Sequence, residues 1–261
     1  MSLLSSPLLL FGFVGVIFLA GTINGLAGFG SALVGTMALA TVVDPVVAVV
    51  FMIIPIVAVN VSLVSELSTG DLQQCGRRFA PLVLSALVGT LVGMALIDMM
   101  PADPLRVVLG LVSLGFVLSA QQLVDVPLLG RARDGCFVET TPAMVGVGGV
   151  SGVLFGGTNV GVQLVAYLRS CDLSHGLFVG VVAMVFLGLN TVRIGAAGHL
   201  GLYPDVLVVA ASVAAGIPAV LGVAFGARIR DRVTPRLRRG IVLVLLTAIG
   251  IRLVTDGAGV L

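Results

Sequence analysis

Gly21–Gly35 reads GTINGLAGFGSALVG, and Gly146–Val162 reads GVGGVSGVLFGGTNVGV. Each run interrupts an otherwise apolar region. Each is followed by a long apolar stretch with a lone Asn at matched depth, Asn60 in the first half and Asn190 in the second. Glycine weakens a helix and frees backbone polar groups that hydrocarbon cannot satisfy. Two such breaks, one per half, are the expected mark of a membrane carrier built from internal repeats around a central site.

Composition agrees. Of 261 residues, 58% are hydrophobic and 10% charged, with a mean hydropathy of +1.21. A soluble domain carries about 25% charged residues. The apolar runs are continuous over helix-spanning lengths, whereas the strands of a membrane β-barrel alternate apolar and polar residues. The expectation is therefore an all-α polytopic membrane protein. All fourteen basic residues are Arg, mostly in short connectors, and the net charge of +2 leaves no footprint for nucleic acid. Cys75, Cys136 and Cys171 are odd in number and form no CxxC, and His175 and His199 lack companions at ligand spacing. Neither a metal nor another cofactor is expected. No serine has a His–Asp arrangement nearby and no H-E-x-x-H is present, so catalysis has no support.

A span of hydrocarbon takes about 20 helical residues. The segments read as Pro7–Asn24, Gly30–Val43, Pro45–Val64, Phe79–Ile97 and Leu105–Val124, then Pro142–Leu154, Val160–Leu168, Ser174–Ala197, Pro204–Ala227 and Leu237–Val254. This divides the chain into a first membrane repeat at 1–124, a cytoplasmic connector at 125–140 and a second repeat at 141–261. An offset of 130 pairs Asn60 with Asn190. An offset of 133 pairs Gly89 and Gly93 with Gly222 and Gly226, and Arg106 with Arg239.

Arginine placement orients the halves. If each broken region is one crossing, the arginines divide almost evenly between the two sides. If each is a hairpin, re-entrant or doubly crossing, the halves become inverted. Arg77, Arg78, Arg131, Arg133, Arg169 and the six arginines from Arg228 to Arg239 then share one side, leaving Arg106, Arg193 and Arg252 on the other. That eleven-to-three bias favours two inverted repeats, each a glycine-broken segment followed by three transmembrane helices.

The candidate substrate contacts lie at the breaks. Half-helix N-termini present free N–H groups and the positive end of a dipole, which suits an anion. In the first break these are the backbone at Gly28 and Gly30 with the Ser31 hydroxyl. In the second they are Gly157, Thr158, Asn159 and Gln163. Close helix packing is the other reading of the same glycines. Asn60 and Asn190 either bond between helices or line a cavity. Arg193, three residues after Asn190 and on the same helical face, either binds an anion or snorkels to the interface. Its counterpart in the first half is Leu63. No acidic residue lies deep within a segment, so no carboxylate proton relay is expected.

At these positions the chain resembles the TauE/SafE family of sulfite-exporter-like permeases. The likeness is strongest at GGVSGVLFGGTNVGVQLVAYL and FLGLNTVRI, where Gly156, Gly157, Tyr167, Leu168, Phe186, Leu187, Asn190 and Arg193 fall on the family's pattern. Asn24, Gly25, Gly28, Gly30 and Asn60 are the first-half counterparts. A Gly-Gly-Pro-Pro loop common in one branch is Gly156-Gly157-Thr158-Asn159 here. The resemblance implies a secondary transporter moving a small anion, sulfite or an organosulfonate, across the cytoplasmic membrane, with a proton or ion as the coupling partner. An anion channel and a non-transporting membrane scaffold are the alternatives.

Overall fold

The computed structural model describes residues 7–27, 30–64, 78–121, 140–169 and 175–259. They form ten α-helices: α1 (Pro7–Ala27), α2 (Ser31–Ala40), α3 (Pro45–Val64), α4 (Ala80–Met99), α5 (Ala102–Gln121), α6 (Thr141–Thr158), α7 (Val162–Arg169), α8 (His175–His199), α9 (Val206–Ile229) and α10 (Pro235–Gly257). A single 3-10 turn, Arg230–Arg232, joins the last two. Most of the expected connector at 125–140 lies outside the described residues.

Four of these helices contain stretches long and apolar enough to cross a membrane: Ala80–Met99, Val181–His199, Val206–Ile229 and Gly240–Gly257. The chain is a polytopic helical bundle. On α4 and α9, rows of small residues face inward while many large ones stay exposed. On α9, Val213, Ile217, Leu221 and Phe225 are exposed at four-residue intervals, while Ser212, Ala215, Ala219, Gly222 and Gly226 are buried. On α4 the outward row includes Leu84, Val88, Leu91, Leu96 and Met99, and the buried face holds Ala86, Gly89, Thr90 and Gly93. In water this arrangement would be unstable. In lipid, apolar bulk gains nothing by burial, so association depends on close backbone approach through small residues.

The glycines carry that approach. A Cβ at Gly89 or Gly93 would stand 2.2 Å from the carbonyl oxygen of Gly149 or Val153 on α6. In return, Gly148, Gly152 and Gly156 of α6 lie against the carbonyls of Leu82, Ala86 and Thr90 on α4. The same interlock joins α1 to α9: Gly21 and Gly25 meet Ala219 and Val223, and Gly222 and Gly226 meet Phe18 and Thr22. Residue numbers rise together in both pairs, so the helices run parallel. Gly89/Gly93 and Gly222/Gly226, which the offset of 133 aligns, thus both make tight contacts, and each couples one half of the chain to the other.

The glycine run of the second half is less of a break than its sequence suggests. Gly146, Gly148, Gly149, Gly152, Gly156 and Gly157 all lie within α6, and the helix stops only at Asn159. Packing claims Gly148, Gly152 and Gly156, whose carbonyl contacts leave no room for a side chain.

Helices that the sequence offsets align also meet. On α5 and α10, Gly257 touches Asp103, Gly250 touches Gly110, and the Ser113 hydroxyl donates to the Leu246 carbonyl at 3.0 Å. The numbers run in opposite senses, so this pair is antiparallel. On α3 and α8, Val46, Val50 and Ile53 share a cluster with Ile194 and Ala197, so the start of one helix meets the end of the other. Pro55 removes the N–H that would bond the Phe51 carbonyl, and Ser212 of α9 donates its hydroxyl there instead. Helix α3 therefore continues through its proline with the Phe51 carbonyl satisfied.

Two glycines on one helix test the packing account. Gly152→Ala, whose Cβ would lie 2.3 Å from the Ala86 carbonyl oxygen, is expected to destabilise the protein by about 1–3 kcal/mol or more. Gly149→Ala, with nothing within 4 Å of its Cβ, is expected to be neutral or to stabilise by up to ~1 kcal/mol. Thermal unfolding in detergent, read by loss of the monodisperse peak, checks the pair.

Candidate functional site

The break between α6 and α7 is made by Asn159. Its φ of 60° is the one left-handed backbone at a non-glycine position among the described residues. Asparagine tolerates this conformation better than other residues with a Cβ. The N–H of Asn159 still donates to the Phe155 carbonyl at 2.9 Å, closing the helix. Thr158 turns its hydroxyl back to Leu154 at 2.6 Å and accepts from the N–H of Val160 at 3.2 Å. Gly161 follows because the Phe186 ring occupies the place where its Cβ would stand.

A helix that ends inside a bundle exposes carbonyls that need donors. Arg193 supplies them. Its side chain is 0% exposed, the largest fully buried side chain among the described residues. Nη2 donates to the Gly156 carbonyl at 3.1 Å, and Nη1 donates to the side-chain oxygens of Asn159 and of Asn190, the latter at 3.0 Å. The guanidinium carbon lies 4.9 Å from the centre of the Phe155 ring. That ring is held in turn by Phe186, 5.0 Å away between centroids. The cation thus sits at the negative end of the α6 dipole, over an aromatic face.

Asn159 extends the network into the first half. Its Nδ2 donates to the Thr36 hydroxyl on α2 at 2.7 Å and to the Val49 carbonyl on α3 at 2.9 Å. Asn190 donates its own Nδ2 to the Phe186 carbonyl at 2.8 Å, one turn back on α8. Thr36, Asn159, Asn190 and Arg193 are all buried. The two broken regions, far apart in sequence, therefore meet here, with α2 of the first bonded to the break of the second.

Every acceptor around Arg193 is neutral. Among the described residues no carboxylate pairs with it, and its Nε–H is buried with no hydrogen-bond partner. A buried guanidinium without a counter-charge remains several kcal/mol short of what water would give it. Its full burial also removes the option of snorkelling to the interface.

The other expected site residues are distributed as follows. Gly157 and Thr158 form the last turn of α6, beside the network but not bonded to Arg193. Gln163 is exposed on α7 and stands apart from it. In the first half, Gly30 takes a left-handed φ of 107° and starts α2, and Ser31 and Asn60 are buried outside the Arg193 network. Gly28 lies outside the described residues. Thr36, the Val49 carbonyl and the Phe155 ring were not legible as site components. Thr36 is the one hydroxyl within α2 after Ser31, which is a weak signal, and a carbonyl leaves none at all.

Substitutions at Asn159 separate its two roles. Asn159→Ala removes the bonds to Arg193, Thr36 and Val49 and keeps a Cβ at positive φ, while Asn159→Gly removes the same bonds and relieves the backbone. Both are expected to lower stability. Alanine is expected to cost about 1–2 kcal/mol more than glycine, since that is the penalty of the left-handed conformation. Paired melting curves in one detergent check the difference.

No curated protein and no solved structure matches the chain. The family model described as sulfite exporter TauE/SafE matches residues 13–253. The chain belongs to the sulfite exporter TauE/SafE family.

Proposed function

We propose that this protein is a secondary permease of the cell membrane that moves a small anion, sulfite or an organosulfonate, and that Arg193 carries the positive charge of its binding site. The observation that carries the reading is a fully buried guanidinium with neutral partners only. Ionisable groups within membrane spans are rare and costly, and where they occur they tend to mark a substrate or ion path. A bound monoanion would supply the missing counter-charge. Asn159 and Asn190 then act as positioning residues that hold the guanidinium flat at the end of α6. Family membership supports the anion class, and its printed description supports sulfite.

The halves 1–124 and 141–261, flanking a cytoplasmic connector at 125–140, are proposed to be inverted repeats. If two repeats are related by an axis in the membrane plane, equivalent helices touching across that axis run antiparallel. The α5–α10 and α3–α8 contacts have that sense. The exchanged partners α1–α9 and α4–α6 fit the same relation. Alternating access would then proceed by rocking one set of helices against the other, with a proton or ion gradient as the driver.

The test uses the full chain in proteoliposomes. Vesicles loaded with unlabelled sulfite should take up external labelled sulfite transiently and saturably. Conductance without counterflow would mean a channel, and no flux of sulfite, sulfate or sulfoacetate would withdraw the sulfur-anion reading. In Asn190→Asp a carboxylate would replace the amide whose oxygen lies 3.0 Å from the Arg193 Nη1. That internal counter-ion is expected to raise the apparent KM for the anion about tenfold or more, with folding retained. Unchanged transport would remove Arg193 from the mechanism.

A further inference from the structure

Like the Arg193 Nε–H, the hydroxyl of Thr90 on α4 is buried without a partner, and Thr90 is 0% exposed. The absence is unusual for this chain. The hydroxyls of Thr22, Thr158, Thr191, Thr247 and Thr255 each donate to the carbonyl four residues back. Helical threonine normally satisfies itself this way. Thr90 does not, although it is more deeply buried than most of them.

Its place in the bundle is set from two directions. The backbone of Thr90 packs on Gly156, whose Cβ would lie 2.2 Å from the Thr90 carbonyl oxygen, and the Gly156 carbonyl accepts from Arg193. Independently, Leu82 and Ala86 of α4 share one apolar cluster with Val181, Val185 and Leu189 of α8. Met94 of α4 shares another with Ile194 and Ala197 of α8. The two helices therefore run parallel. Thr90 falls one turn after Ala86 and one before Met94. Arg193 falls one turn after Leu189 and one before Ala197. The pair occupies a polar layer between two apolar clusters.

Under the offsets that pair the halves, Arg193 corresponds to Leu63, Asn159 to Phe29 and Thr90 to Val223. Arg193, Asn159 and Thr90 thus have apolar residues at the aligned sequence positions, whereas Asn190 has Asn60.

We propose that Thr90 is a second ligand of the anion site, its hydroxyl donating to one oxygen of an oxyanion while the Arg193 Nε–H donates to another. The site takes one donor from each half of the chain, on α4 and on α8. Two donors on different helices select for a ligand that presents two acceptor oxygens, as sulfite and sulfonates do, over a halide. This inference rests on the anion reading of Arg193.

The test compares Thr90→Val, which replaces the hydroxyl by a methyl at nearly constant volume, with Thr90→Ser, which keeps it. Sodium sulfite, sodium sulfate, sodium isethionate and sodium chloride are titrated against the full-length protein in detergent, following the shift in thermal unfolding. The wild type is expected to be stabilised saturably by at least one oxyanion. Thr90→Val is expected to weaken that binding about tenfold or more, the usual loss for a hydrogen bond to a charged group. Chloride binding should hardly change, and Thr90→Ser should restore the oxyanion response. If an oxyanion stabilises the wild type and Thr90→Val equally, Thr90 is not a ligand, while the Arg193 reading survives. If no anion stabilises the wild type, both proposals fall.

Discussion

Arg193 brings a full positive charge into an interior where, among the described residues, no carboxylate faces it, and the surrounding structure is shaped by that charge. A guanidinium can be held in such a place only if most of its N–H groups find acceptors. The bundle provides them by ending α6 early. A continuous helix would have closed the Gly156 carbonyl against its own N–H four residues on. The turn at Asn159 releases that carbonyl to Arg193, and the Asn159 side chain reaches the same guanidinium. The break and the cation are mutually dependent: the helix end needs a donor, and the donor needs acceptors. What the arrangement leaves over is net charge and an unpartnered Nε–H.

The glycine interlocks make this arrangement rigid. Parallel backbones at contact distance on α4–α6 and α1–α9 fix the height of each helix against its partner to within a fraction of a turn. Gly156 is therefore held against Thr90 on one side and against Arg193 on the other. The bulky side chains that are buried are overwhelmingly apolar, so the interior cannot solvate a charge with them. The electrostatic requirement must be met by a few fixed dipoles or by a ligand. A carrier needs such a site, one whose polar groups are placed before the substrate arrives and not fully satisfied without it.

Much of this was legible in the residues. Hydropathy located the helices to within a few positions, since an apolar run of spanning length has few other uses. Asn190 and Arg193 stood out because polar groups inside such a run require partners, and their three-residue spacing puts them on one face. The position of the second break was less accessible. Glycine signals both helix breaking and close approach, and in GVGGVSGVLFGG the packing role prevailed while a non-glycine, Asn159, turned the chain. Arg193 was readable as an interfacial group because it falls near a helix end, yet α8 continues to His199 and the cation lies fully inside. Thr36 bonds Asn159 across 123 residues of sequence, and no local pattern encodes such a contact. Which glycine faces would pair was equally open, since small-residue faces are nearly interchangeable until the whole bundle assembles.

The most direct measurement observes the Arg193 Nε–H itself. In protein labelled with nitrogen-15 and held in lipid nanodiscs, its side-chain resonance can be assigned by its disappearance in Arg193→Gln and then followed through a sulfite titration at constant ionic strength. The account predicts a saturable downfield proton shift at this one site, as an unpaired N–H gains a charged acceptor. A resonance that stays fixed while sulfite saturates transport in the same preparation would contradict it, and would place the anion elsewhere in the bundle.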